Sequence, residues 1–207
     1  MSAPKLYKHY EKLAEDFNVH HPGLCCPHAN SVFMATTLNL GDKVVTKEHR
    51  DHKNLGNGLC AVVSLGNYDY KSGGHLVLHD LKLILEFPPG WVIFLPSACI
   101  THSNTGISDN EWRSSITYYT AGGLFRWAAY GFQSEKDLRK HNPEQLQKMT
   151  EEKENRWNYG VDLFSTSEKL KEDISTVLSW AHDTVVAPHV QCSKLWFFYL
   201  NSCCFNA

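Results

Sequence analysis

The run LCAVVSLGNYDYKSGGHLVLHDLKLILEFPPGWVIFLP, residues 59–96, decides the fold class. It holds three short stretches rich in β-branched and apolar residues, punctuated by KSGG and FPPG. Short runs of this kind, bounded by Gly, Pro and Asn, read as strands joined by turns rather than as βαβ units. The texture extends both ways. SVFMATTLNL and VVTKEH lie upstream and SSITYYT downstream, broken by LGD, NLGNG and NTGISDN. The expectation is a mainly β core, an antiparallel sandwich or a jelly-roll barrel.

Helical patterns lie on either side of this stretch. In residues 4–17, Leu6, Tyr10, Leu13 and Phe17 form one stripe with Lys and Glu opposite, the signature of a surface helix packed on a core. Asn142-Pro143-Glu144 supplies an N-cap, a first-position proline and an acidic first turn for a helix over EQLQKMTEEKENRW. Ser165 or Thr166 could cap another, with Leu170, Ile174, Val177 and Leu178 as its apolar face, and Pro188 would end it. The organisation expected is one domain over 1–207. Its β core covers about 30–133, with the N-terminal helix 4–17 and a helical region 134–207 packed on it.

Composition narrows the function classes. With 43% hydrophobic and 20% charged residues, the 207-residue chain has the balance of a soluble globular protein. A net charge of −2 argues against binding nucleic acid by bulk electrostatics and leaves room for a local basic groove. The N-terminal run is charged rather than signal-like, and no apolar run approaches the roughly 18 residues of a membrane helix. An intracellular protein, nuclear or cytoplasmic, is expected. Seven cysteines without a CxxC pair read as free thiols, and Cys25, Cys26 and His28 lack zinc-finger spacing.

The chemistry starts at KEHRDHKN, residues 47–54. If this segment leaves a strand at its rim, alternation projects His49 and Asp51 together and turns Arg50 and His52 away. An imidazole and a carboxylate two apart give two adjacent corners of a metal octahedron. Non-haem iron that activates oxygen needs two His and one carboxylate, with the remaining positions open. HxD alone is a weak motif, which a polar surface loop produces by chance. The downstream chain strengthens it. His102 follows the apolar strand WVIFLP, and Arg113, Ser115 and Thr117 share a face of the next strand. A buried Arg can grip a carboxylate in a two-pronged fork, with a hydroxyl adding a further bond.

His-x-Asp, about fifty residues, His, about ten residues and Arg-x-Ser together resemble the double-stranded β-helix family of Fe(II)/2-oxoglutarate dioxygenases. A closer resemblance spans most of residues 30–133. NLGDKVVTKEHRDHKN, the run from GLCAVV to CITHSN, and EWRSSITYYTAGGLFRW are similar to fungal members of the TET/JBP oxygenase group. The resemblance implies a jelly-roll, cupin-like barrel in which His49, Asp51 and His102 hold Fe(II). It implies that Arg113, with Ser115, binds the far carboxylate of 2-oxoglutarate, and that O2 is the oxidant. It further implies oxidation of the methyl group of 5-methylcytosine or a related 5-methylpyrimidine, so that DNA or a nucleobase is the partner. The chain departs from better-known members in lacking a Cys-rich zinc region and a basic extension. A small-metabolite or peptide hydroxylase, or a cupin-like binding module without turnover, are the other readings.

Several residues have a bland explanation beside a functional one. Asn54 and Asn104 follow ligands and could bond cosubstrate or substrate, or simply cap turns. Arg126 could touch substrate or sit satisfied among aromatics. Thr117 lines the Arg113 face. His75 and His79 fit ordinary strand packing, Gly122-Gly123 a turn or bulge, and Trp91, Tyr118 and Tyr119 the core. His20 and His21 read as turn residues.

Overall fold

The computed structural model describes residues 3–24 and 31–183 of the chain. Cys25, Cys26, His28, Pro188, Cys192, Cys203, Cys204 and the aromatic run 195–200 lie outside them. By internal contacts the chain divides into two compact units, whose described parts are residues 33–123 and residues 3–24, 31–32 and 124–183.

The first unit holds seven strands: β1 (Ala35–Asn39), β2 (Cys60–Asn67), β3 (Leu76–Leu78), β4 (Leu83–Leu85), β5 (Val92–Leu95), β6 (His102–Asn104) and β7 (Trp112–Tyr119). They form two open antiparallel sheets, one in the order β1-β7-β2-β5 and one in the order β4-β3-β6. No closed barrel forms among the described residues. The expected strand over VVTKEH is absent as such. Lys43 and His49 make single bridges, to Arg113 and His102, and the segment between is irregular. It still runs beside β6, where Asn104 N–H donates to Thr46 O at 3.2 Å, and His49 and His102 exchange both backbone bonds at 3.0 and 2.9 Å.

Register fixes which side chains meet, because residues paired across a ladder share a face. On the first sheet, Cys60, Val62, Ser64 and Gly66 share a face with Leu95 and Ile93, with Thr117, Ser115 and Arg113, and with Thr37 and Asn39. On the second sheet, Leu76 and Leu78 share a face with Leu85 and with Asn104 and His102. The two faces pack together through Cys60, Leu95, Leu76, Leu78 and Phe87. Trp91, a core residue on the sequence reading, is instead 65% exposed, because it closes the turn ahead of β5, where its N–H donates to Pro88 O at 3.2 Å. Tyr118 and Tyr119 are half-buried.

Gly66 stands opposite Arg113, and a Cβ there would lie 2.3 Å from Trp112 O. Only glycine lets β7 come this close, and its φ of +148° suits no L side chain.

The second unit is helical: α1 (Pro4–His20), α2 (Gly122–Ala129, which begins in the first unit), α3 (Glu135–His141), α4 (Pro143–Glu151), α5 (Asn155–Asp162) and α6 (Leu170–Asp183). The α1 stripe Leu6, Tyr10, Leu13, Phe17 is buried, with Tyr10 edge-on to Phe125 and Phe17 edge-on to Phe132. His20, expected in a turn, is the last residue of α1 and stacks on Phe132. Asn142 caps α4 by accepting from Gln145 N–H at 3.1 Å. The helix expected as far as Trp157 breaks at Glu152–Glu154 into a 3-10 turn before α5. Gly122-Gly123 open α2 rather than forming a bulge. Leu178 is exposed on α6, so only Val177 of its expected face is fully buried. None of the helices in the described residues is long and apolar enough to cross a membrane.

Candidate metal centre

His49, Asp51 and His102 converge, each offering a ligand atom, with all three atoms within 4.8 Å of one another. Different local structures deliver them. His102 opens β6 and points into the space between the sheets, where it is 7% exposed. His49 reaches the cluster through its bridge to His102, and the two rings lie 4.3 Å apart. Asp51 is not on a strand. Its N–H donates to Ser97 O at 2.9 Å, and its own carbonyl accepts from Asn54 N–H at 2.9 Å, so a turn swings the carboxylate back toward His49. His49 Nε2 and Asp51 Oδ1 stand 3.5 Å apart. His52 is exposed outside the cluster.

Both imidazoles are anchored in the same way. His49 Nδ1 lies 2.8 Å from Lys47 O, and His102 Nδ1 lies 2.9 Å from Ile100 O. A carbonyl can only accept, so each Nδ1 carries the proton and each Nε2 keeps its lone pair for a metal. Burial holds His102 below the usual histidine range and the neighbouring His49 adds to this, against the Ile100 bond that favours the protonated form. A neutral imidazole is the form that can coordinate. Asp51 is oriented too, since Asn54 Nδ2 donates to its Oδ2 at 3.3 Å and to Ser97 Oγ at 3.1 Å.

Arg113 lies on the same inner face as Ser115 and Thr117, across from the β6 face that carries His102. It is 3% exposed. Nη1 donates to Val44 O at 3.1 Å, but Nε is buried without a partner, and no acidic side chain among the described residues pairs with the guanidinium. A buried cation without a counter-charge carries a heavy desolvation penalty. Ser115 Oγ accepts from Asn39 Nδ2 at 3.1 Å, which leaves its own proton to donate.

Asn104 does not offer its amide to a ligand. It binds Thr46 N–H at 2.7 Å and the carbonyls of Val44 and Thr105, fastening the irregular segment that leads to His49. Arg126 is exposed on α2, in the helical unit. His79 bonds Ser103 Oγ at 2.8 Å on the outer face of the second sheet, and neither it nor His75 joins the cluster. Sequence reasoning missed Ser97, whose carbonyl accepts from Asp51 N–H and whose hydroxyl accepts from Asn54, the residue that orients the Asp51 carboxylate. Its position just after Pro96 in a turn was the only signal.

No family model matches the chain, and no curated protein matches it. Among solved structures, NgTET1 in complex with 5mC DNA aligns with 46% of this chain at 21% identity, with a TM-score of 0.40. The match covers 36% of that chain, so this chain spans about a third of its length.

Proposed function

We propose that the protein is an Fe(II)- and 2-oxoglutarate-dependent dioxygenase on a double-stranded β-helix. His49, Asp51 and His102 are its iron ligands, and Arg113, with Ser115, holds the distal carboxylate of 2-oxoglutarate. The donor set fits the metal: two imidazoles presenting Nε2 and one carboxylate suit a first-row divalent ion with positions left over. The observation that carries the proposal is Arg113. Its guanidinium is buried on the inner face with Nε unpartnered, and a dicarboxylate supplies the missing charge. Strand order agrees with a double-stranded β-helix, since the chain passes repeatedly between the two sheets and residues 46–49 extend the second beside β6.

The chain's own groups have separable tasks. The Nδ1 bonds hold the imidazoles in one tautomer, and Asn54 fixes the Asp51 carboxylate. Arg113 and Ser115 orient the cosubstrate, while Leu95, Leu76 and Leu78 exclude water from the neighbouring interior. Bound Fe(II) would supply the redox chemistry by which O2 and 2-oxoglutarate yield succinate, CO2 and an oxidised substrate C–H bond. The substrate we assign is the methyl group of 5-methylcytosine or a related 5-methylpyrimidine in nucleic acid. It rests on the sequence resemblance across residues 30–133.

The test is succinate release and product mass spectrometry with Fe(II), 2-oxoglutarate and 5-methylcytosine oligonucleotides, single- and double-stranded, beside a metabolite extract. Oxidised methylcytosine is expected, with loss of turnover by about a thousandfold or more in Asp51→Ala, as for removal of a group acting at the reacting centre. Full turnover in that variant would refute the ligand assignment. Oxidation of a metabolite alone would refute the substrate.

A further inference from the structure

The two ligand-bearing segments are cross-linked from outside the cluster by the turn after β3. His49 pairs with His102, so Arg50 stands opposite Thr101 and Glu48 opposite Ser103. Arg50 Nε donates to Thr101 Oγ1 at 2.7 Å, and its Nη2 donates to Asp80 Oδ1 and Oδ2 at 3.0 and 3.2 Å. Asp80 Oδ2 also accepts the backbone N–H of Thr101 at 2.6 Å. One residue earlier, His79 Nε2 meets Ser103 Oγ at 2.8 Å, and its Nδ1 lies 3.8 Å from Glu48. Consecutive residues of one turn therefore reach both neighbours of each histidine.

We propose that Asp80 is a positioning residue for the metal centre. It touches no ligand. Through Arg50 it fixes the residue between His49 and Asp51, and through Thr101 the residue before His102. The inference rests on reading those three residues as metal ligands.

An isolated exposed ion pair would contribute little, and Arg50 and Asp80 are each two-fifths exposed. The difference here is a main-chain donor bound to the same carboxylate, one residue from a ligand. Loss of the contact therefore acts on ligand placement more than on the fold. Partners that orient metal ligands typically change affinity by about 10- to 100-fold when removed.

The experiment is Co(II) titration of the full chain against a chromophoric chelator, with the Co(II) visible bands and the metal-free melting temperature recorded alongside. Asp80→Ala should bind Co(II) about tenfold more weakly with shifted bands and an unchanged metal-free melt. Asp80→Asn, which keeps the acceptor for Thr101 and loses the charge, should fall between it and the native chain. If Asp80→Ala fails to fold, Arg50→Met decides by the same measurement. Native affinity and native bands in the folded variant would overturn the positioning role while leaving the ligand assignment standing. A native chain that binds no Co(II), or a His49→Ala variant that binds it as well, would overturn the ligand assignment and this role together.

Discussion

Two halves of one sheet face differ in everything but their backbone. Toward one end of the β1-β7-β2-β5 sheet the inner face carries Cys60, Val62, Ile93, Leu95 and Tyr119; toward the other it carries Ser64, Gly66, Ser115, Arg113 and Asn39. The polar half is not the wetter half. Ser64, Arg113 and Ser115 are 0, 3 and 4% exposed, as deep as Cys60 and Leu95 at 2%. Ser64 is satisfied by the Tyr68 hydroxyl, which in turn donates to Phe87 O. Arg113 Nε is not satisfied. Burial alone thus does not separate core from site. The separation lies in whether the polar atoms inside are closed among themselves or left waiting for a partner.

Cutting into each half should break different properties. Leu95→Ala removes a fully buried side chain from the apolar half and should destabilise the fold by about 3 kcal/mol in urea melts, with metal affinity of the folded fraction unchanged. Loss of metal binding in folded Leu95→Ala would dissolve the distinction. Arg113→Met in the polar half should raise the KM for 2-oxoglutarate about a hundredfold, because a charge-assisted fork is lost. The same variant should melt no lower than the native chain without cosubstrate, since it removes a buried unpaired charge. Ser115→Ala deletes one hydrogen bond beside that fork and should raise the same KM about fivefold, about 1 kcal/mol. The finest probe is chemical. Burial pushes the Cys60 thiol up to about 11, so at about pH 8 it should resist iodoacetamide while exposed Cys99 is carboxamidomethylated, as read by peptide mass spectrometry. Labelling of Cys60 in the native protein would show that the apolar half opens.

The same two halves mark where the sequence was legible. Period-two alternation put Arg113, Ser115 and Thr117 on one face because β7 is a regular eight-residue strand, paired on both sides. Alternation was the wrong instrument for His49 and Asp51. Their segment makes only single bridges, and Asp51 reaches the cluster through a long-range bond to Ser97 and a local turn to Asn54 that departs from strand alternation. Asn104 resisted assignment for a related reason. An amide two residues beyond His102 is equally able to face the cluster or a loop, and long-range packing turned it onto Thr46. Within the helical region expected over 134–207, α3 has no legible bounds of its own although Ser134 accepts from Asp137 N–H, because the seven-residue helix buries only Leu138 and so leaves no periodic stripe.

The anchors of the two imidazoles carry a last consequence. Each Nδ1 is held by a main-chain oxygen two positions back, at Lys47 and at Ile100. Exchanging either side chain leaves that oxygen in place. An alanine scan would therefore pass over Lys47, and at Ile100 would register only lost packing against the core, although the carbonyls of both hold the imidazoles in place. That part of the geometry of this cluster is written in chain path rather than in residue identity.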